Sequence, residues 1–189
     1  MWPWGHLGVA YIVYWMYSRG RFKRPPRPAA AVGVLLGSQF ADLVDKPLAV
    51  LGVFPHGRFF FHSLVVTGIL IIIVYSVAFL LDRVEVATAF ILAHLSHLLA
   101  DVPPRVALGY PFGTEFLFWP FISYPTFRYH DRLFEAPPAI EFLVTPLTDP
   151  MTFFLIEFAL FGLAIGLWYQ DGCPGMELIA DRFSTNPPC

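Results

Sequence analysis

The chain has 189 residues, of which 57% are apolar and 14% charged, against about 45–50% apolar and about 25% charged in an ordinary soluble domain. Twelve Lys and Arg against fourteen Asp and Glu leave a net charge of −2, so there is no basic surplus to neutralise a phosphate backbone, and nucleic acid is excluded as an expected partner. The two cysteines, Cys173 and Cys189, both lie near the C-terminal end, which rules out a disulfide framework for the body and a Cys-rich metal knuckle.

Apolar runs fall at residues 2–18, 29–45, 63–81, 84–101 and 151–170, each near the roughly 20 residues that cross hydrocarbon. They predict an all-α, multi-pass membrane bundle of about five transmembrane helices. Mean hydropathy is only +0.61, because long connections dilute the runs. The first run has no positive segment before it, so it reads as a retained membrane anchor and not as a cleaved signal. Behind it crowd Arg19, Arg21, Lys23, Arg24 and Arg27, the pattern that holds a loop in the cytoplasm. The N-terminus is therefore expected on the outer side of the plasma (inner) membrane.

The second run closes on a polar turn, Gln39 to Asp45, where lipid would demand apolar side chains. The third, Ser63 to Leu81, contains Tyr75 as its one ionisable group, and the fifth carries Glu157. Residues 102–150 form a connection too long for a plain loop and too apolar for a solvated one. Its prolines break long helices, while Phe116 to Phe121, Tyr124 and Phe127 suit the headgroup level, so a lid or lipid-facing rim is expected there. Residues 1–170 read as one membrane-embedded domain, and 171–189, with Gly172, Pro174, Pro187 and Pro188, as a poorly ordered tail. Alternation of spans puts that tail in the cytoplasm, where Cys173 and Cys189 would stay free thiols.

Ionisable groups inside spans cost roughly 2.5–3.5 kcal/mol each on insertion scales and are functional by default. Here His94, His97 and Asp101 follow one another at helical spacing, so one face of the fourth helix collects them. Asp42 and Asp45 share a face of the second helix, His62 opens the third and His6 the first. Alternating topology gathers all of them at the outer side. Imidazole with carboxylate suits zinc, and also manganese or iron. The groups outnumber the ligands of one ion, which leaves open a two-metal site or a single metal whose histidines are oriented by further carboxylates.

Three segments carry a resemblance: Gly37 to Pro47 (GSQFADLVDKP), Arg58 to Leu64 (RFFFHSL) and His94 to Asp101 (HLSHLLAD). Together they resemble the predicted inner-membrane metal-dependent hydrolases of the YdjM-like family, typified by a PD-x-D segment, an RG-x-x-HS segment and an H-x-x-x-D helix. The similarity covers roughly residues 1–120. That family is in turn distantly similar to zinc-dependent phospholipase C and the P1-type nucleases. Carried across by motif, the resemblance implies a main metal site of Asp42, His62, His97 and Asp101, with His6 joining Asp101 at a neighbouring ion. Ala41 stands where the family has proline, the carboxylates come as D-x-x-D, and no late H-x-x-x-E segment is present, which leaves Glu115 and Glu141 as the obvious substitutes for the remaining ligands.

The reading that follows is a membrane-bound, metal-dependent hydrolase acting on a lipid phosphodiester or ester, with Asp45 or His94 orienting a metal-activated water and Arg58 clamping an anionic oxygen. Membrane lipids are the expected partners. A metal or proton transporter would use the same ligands, but transport sites lie near the midplane and not at one end of the helices. A scaffold whose metal only pins helices together is the third class.

Overall fold

Proline opens three of the helices, at Pro3, Pro28 and Pro150, where its fixed φ is already helical and its missing N–H would have had no partner. Side-chain caps start two: Ser63 accepts from Val65 N and Asp149 from Thr152 N. In this computed structural model, which describes residues 1–109, 113–122 and 149–180, the long helices are α1 (Pro3–Phe22), α2 (Pro28–Val50), α3 (Leu64–Leu80), α4 (Val84–Ala100) and α5 (Pro150–Gln170). Two 3-10 turns, Pro104–Leu108 and Glu115–Phe118, and a last turn, α6 (Glu177–Ala180), complete the elements, with no strand among the described residues.

Small residues decide how these helices meet. A Cβ on Gly37 would lie 2.2 Å from the Phe90 carbonyl oxygen, and one on Gly33 3.0 Å from that of Val86. Without those side chains α2 and α4 run parallel, backbone against backbone, the close approach that small residues four apart permit. Gly8 does the same for α1 and α5, where a Cβ would stand 2.9 Å from the Phe161 backbone. Polar contacts set the directions. Gln39 donates to the Pro3 carbonyl (3.0 Å), Tyr14 to Glu85 (3.3 Å) and the Trp15 indole to Asp171 (2.9 Å). Tyr75 meets Thr88 at 3.0 Å across α3 and α4. So α1, α3 and α5 run one way and α2 and α4 the other, and the starts of the first set share one end of the bundle with the ends of the second. Between them lies a core of Ala10, Tyr11, Tyr14, Ala30, Val34, Ala89, Ala93 and Ala164.

Several expectations change in detail. The second helix does not stop at residue 45 but runs on to Val50 with Pro47 inside it, so Asp42 and Asp45 sit within a helix and not in its last turn. Residues 171–180 are not a loose tail: Cys173, Pro174 and Gly175 are buried, and the Trp168 indole donates to the Pro174 carbonyl at 3.1 Å. Cys173 is disulfide-bonded, which corrects the expectation of a free thiol. In the connection, Trp119 is half-buried and Phe121 exposed, while Tyr124, Phe127 and Glu141 lie outside the described residues.

Of the five expected spans, α5 alone among the described helices is both long and apolar enough to cross a membrane; α3 and α4 are apolar but have 17 residues each, about 26 Å of helix against about 30 Å of hydrocarbon. Both α3 and α5 leave apolar faces uncovered, with Ile69, Ile72, Ile73 and Val77 on one and Leu155, Phe158, Leu163 and Ile165 on the other. Faces of that extent mark a surface meant for another apolar phase.

Candidate metal centre

At the shared end, Asp42 comes from α2, His62 from the segment leading into α3, His97 from the last turn of α4 and Asp101 from its C-cap. All four are buried, and one potential ligand atom from each lies within 4.8 Å of every other. His62 Nε2 is 3.2 Å from His97 Nε2, 3.5 Å from Asp42 Oδ1 and 3.4 Å from Asp101 Oδ2, while His97 Nε2 is 3.8 Å from both oxygens. Metal–ligand bonds of about 2.0–2.1 Å in tetrahedral array place ligands about 3.3–3.4 Å apart. The observed separations bracket that edge.

The second nitrogen of each ring explains which way the first one points. His97 Nδ1 meets the Ser38 carbonyl at 2.7 Å, and a carbonyl can only accept, so Nδ1 carries the hydrogen and Nε2 offers a lone pair. His62 Nδ1 meets Asp45 Oδ2 at 2.8 Å, the carboxylate–histidine arrangement that fixes the tautomer of a metal-binding imidazole. Asp45 also accepts from the amides of Phe59 and Phe61. With both rings neutral, two lone pairs thus face each other in a buried space, beside an Asp42 Oδ1 that has no hydrogen-bond partner. A divalent cation satisfies all three, so the residues present fit the metal that the sequence motifs imply.

Without a cation, protons and side-chain charges hold the carboxylates. Burial disfavours the charged form of His62, but its contacts with Asp101, Asp42 and Asp45 outweigh this and push its pKa up to about 10. Burial likewise disfavours ionised Asp101, yet His6, His62 and the Arg58 guanidinium keep its carboxyl well below the usual carboxylate range. Arg58 reaches Asp101 through two nitrogens, Nε at 2.8 Å and Nη2 at 3.0 Å. Lys46 Nζ lies 2.6 Å from Asp42 Oδ2.

The remaining expected residues fall as follows. His6 stacks on His97 with ring centroids 3.9 Å apart and places Nε2 3.2 Å from Asp101 Oδ1. Asp45 lies behind His62 and directs that ring. His94, one turn below His97, turns away toward α3, where Nε2 meets Thr67 Oγ1 at 3.1 Å. Glu115 accepts from Gly113 N at 2.7 Å and is not part of the four-residue cluster. Glu157 is buried between α1 and α5 and accepts from Trp2 N at 3.1 Å. Sequence reasoning set Lys46 beside its neighbour Asp45 and missed its pairing with Asp42, although a spacing of four on one helix signals that ion pair. It also overlooked the Gly33-x-x-x-Gly37 pattern. The Ser38 carbonyl left no sequence signal.

Phe59 and Phe60 pack on Trp119, with centroids 4.9 and 5.5 Å apart, and the Phe116 ring lies 6.1 Å from His62. Phe116 therefore lies against one cluster ring, with an aromatic group from two loops nearby. In comparisons with known proteins, the family model described as YdjM inner membrane protein matches residues 1–172. No curated protein and no solved structure matches.

Proposed function

The chain belongs to the YdjM inner membrane protein family, and we propose that it is a multi-pass membrane hydrolase whose metal centre acts on a lipid phosphodiester or ester at the membrane surface. The observation that carries this reading is the pair of buried imidazole nitrogens, 3.2 Å apart, flanked by two carboxylates. Asp42, His62, His97 and Asp101 would hold the ion. Nitrogen and oxygen ligands at tetrahedral spacing favour zinc, with manganese and iron as the other candidates. Bound there, a divalent ion supplies Lewis acidity toward a phosphoryl or acyl oxygen and lowers the pKa of a water.

The chain's own groups prepare that chemistry. Asp45 and the Ser38 carbonyl lock the two rings, His6 stands on the far oxygen of Asp101 where a neighbouring ion would share it, and Arg58 holds Asp101 in place. The aromatic group of Phe59, Phe60 and Trp119 would meet acyl chains. By the positive-inside rule the basic residues after α1 put that end in the cytoplasm and the metal end outside. The disulfide at Cys173, which lies at the same end as those basic residues, favours the opposite orientation. Labelling of a cysteine introduced at Lys46, with a reagent that cannot cross the membrane, decides between them.

A structural role is the second reading, and the count of ligands favours it: four protein ligands close a tetrahedral site, whereas a catalytic one keeps a position open. Incubating detergent-purified protein with mixed phospholipids and generic phosphodiesters under zinc or manganese tests the two. Product release that a chelator abolishes supports the hydrolase. Silence across substrates, with loss of thermal stability on metal removal, supports the scaffold.

A further inference from the structure

The two cations beside the cluster have capacity they do not use. Lys46 is 50% and Arg58 38% exposed, whereas the carboxylates they hold, Asp42 and Asp101, are 8% and 2% exposed by side chain. Each cation thus links a buried ligand to the surface. Lys46 lies on Asp42 Oδ2, the oxygen that does not face the imidazoles, and one contact leaves the rest of its three N–H donors directed outward. Arg58 engages Asp101 through Nε and Nη2, and its Nη1 makes no hydrogen bond among the described residues. Neither must leave its carboxylate to take a further acceptor.

The two are also neighbours. Gly57, next to Arg58 in the chain, comes so close to α2 that a Cβ on it would lie 3.1 Å from Lys46 Cγ. The missing side chain lets the loop carrying Arg58 settle on the Lys46 stem, so both cations belong to one side of the cluster's immediate surroundings. A divalent ion, these two cations and the Met1 ammonium, 3.3 Å from Asp101 Oδ1, against Asp42, Asp45 and Asp101 leave two positive charges over. A neutral carboxylic ester gains nothing from that excess, whereas a tetrahedral oxyanion presents oxygens to the metal and to both cations together, and the Arg fork suits it.

Granting the metal centre proposed above, we infer that Lys46 and Arg58 form an anion-binding site at its mouth and that the group received there is a phosphoryl group, not a neutral acyl ester. Lys46 and Arg58 act as binding residues that select the substrate class. The phosphoryl group belongs either to a lipid headgroup or to a free phosphate compound.

The test is calorimetric titration of the full chain, purified in detergent and loaded with zinc, with metal content measured in every sample. The probes are inorganic phosphate, short-chain phosphatidylglycerol and short-chain diacylglycerol. Saturable binding of either phosphate-bearing probe, with diacylglycerol at least tenfold weaker, supports the proposal; the tighter of the two phosphate probes identifies the source. Lys46→Met should weaken the better phosphate probe by tenfold or more while zinc stays stoichiometric, and Arg58→Lys should weaken it less than Arg58→Gln. Diacylglycerol binding as tightly as the phosphate probes, or Lys46→Met binding phosphate as the wild type does with zinc retained, overturns the proposal. Wild-type protein that holds no zinc overturns the metal reading and this one with it.

Discussion

His62 and His97 approach each other at 3.2 Å through their Nε2 atoms, because Asp45 takes the hydrogen on the far side of one ring and the Ser38 carbonyl that of the other, so that with both rings neutral each Nε2 offers a lone pair. Two lone pairs held that close and out of water repel unless something positive lies between them. In the metal-free chain that is a proton on His62, and in the loaded chain an ion.

Asp45→Ala removes the group that aims His62 and frees the amides of Phe59 and Phe61. Loss of such an outer partner lowers metal affinity by roughly 10–100-fold. Competition with a zinc chelator should show that drop, and Asp45→Asn should recover part of it by accepting from the same amides. Unchanged affinity in the alanine variant counts against the orienting role.

Metal uptake should expel a proton from His62. Its folded-state pKa, near 10, is raised above the ordinary 6.5, so the metal-free chain holds a proton at neutral pH that an incoming ion must displace. Affinity therefore rises with pH. By the same sign, the contribution of His62 to the stability of the metal-free chain is full below pH 6.5 and is lost as pH climbs through 10. Calorimetry in buffers of different ionisation enthalpy checks the released proton, and melting curves of chelator-treated protein check the decline.

Gly37→Ala should separate α2 from α4, since the new methyl would meet the Phe90 carbonyl at 2.2 Å. Overpacking of this kind costs about 1–3 kcal/mol, and it also withdraws Ser38 and Asp42 from the cluster, so both melting temperature and bound metal should fall. Gly68→Ala, where nothing lies within 4 Å, is the control and should leave bound metal unchanged and the melting temperature no lower, since alanine suits a helix interior better than glycine.

His94→Gln should keep its metal. The side chain faces Thr67 at 3.1 Å on α3 and stands outside the four-residue cluster. Metal analysis giving wild-type content is the expected outcome, and a loss comparable with that of His97→Ala would place His94 among the ligands.

His94 also shows where the sequence stops being informative. Spacing along α4 groups His94, His97 and Asp101 on one face, but such a face can meet several neighbours, and here it meets α3 through His94, α2 through His97 and α1 through Asp101. Alternating apolar runs were enough to bring Asp42, His62, His97 and Asp101 to one end of the bundle, because helix direction follows from short connections. Which carboxylate touches a ring and which stands behind it depends on rotation of α2 about its axis, set by Gly33 and Gly37 against Val86 and Phe90. The extra turn of α2 past Pro47 and the burial of residues 173–175 against the bundle rest on packing that local composition does not encode.

The most direct test of the metal centre is elemental analysis of detergent-purified wild-type protein beside a His97→Ala, Asp101→Ala double variant of confirmed helical content. The wild type should carry at least one divalent ion per chain and the variant close to none. Equal metal in the two would contradict the assignment of those side chains as ligands.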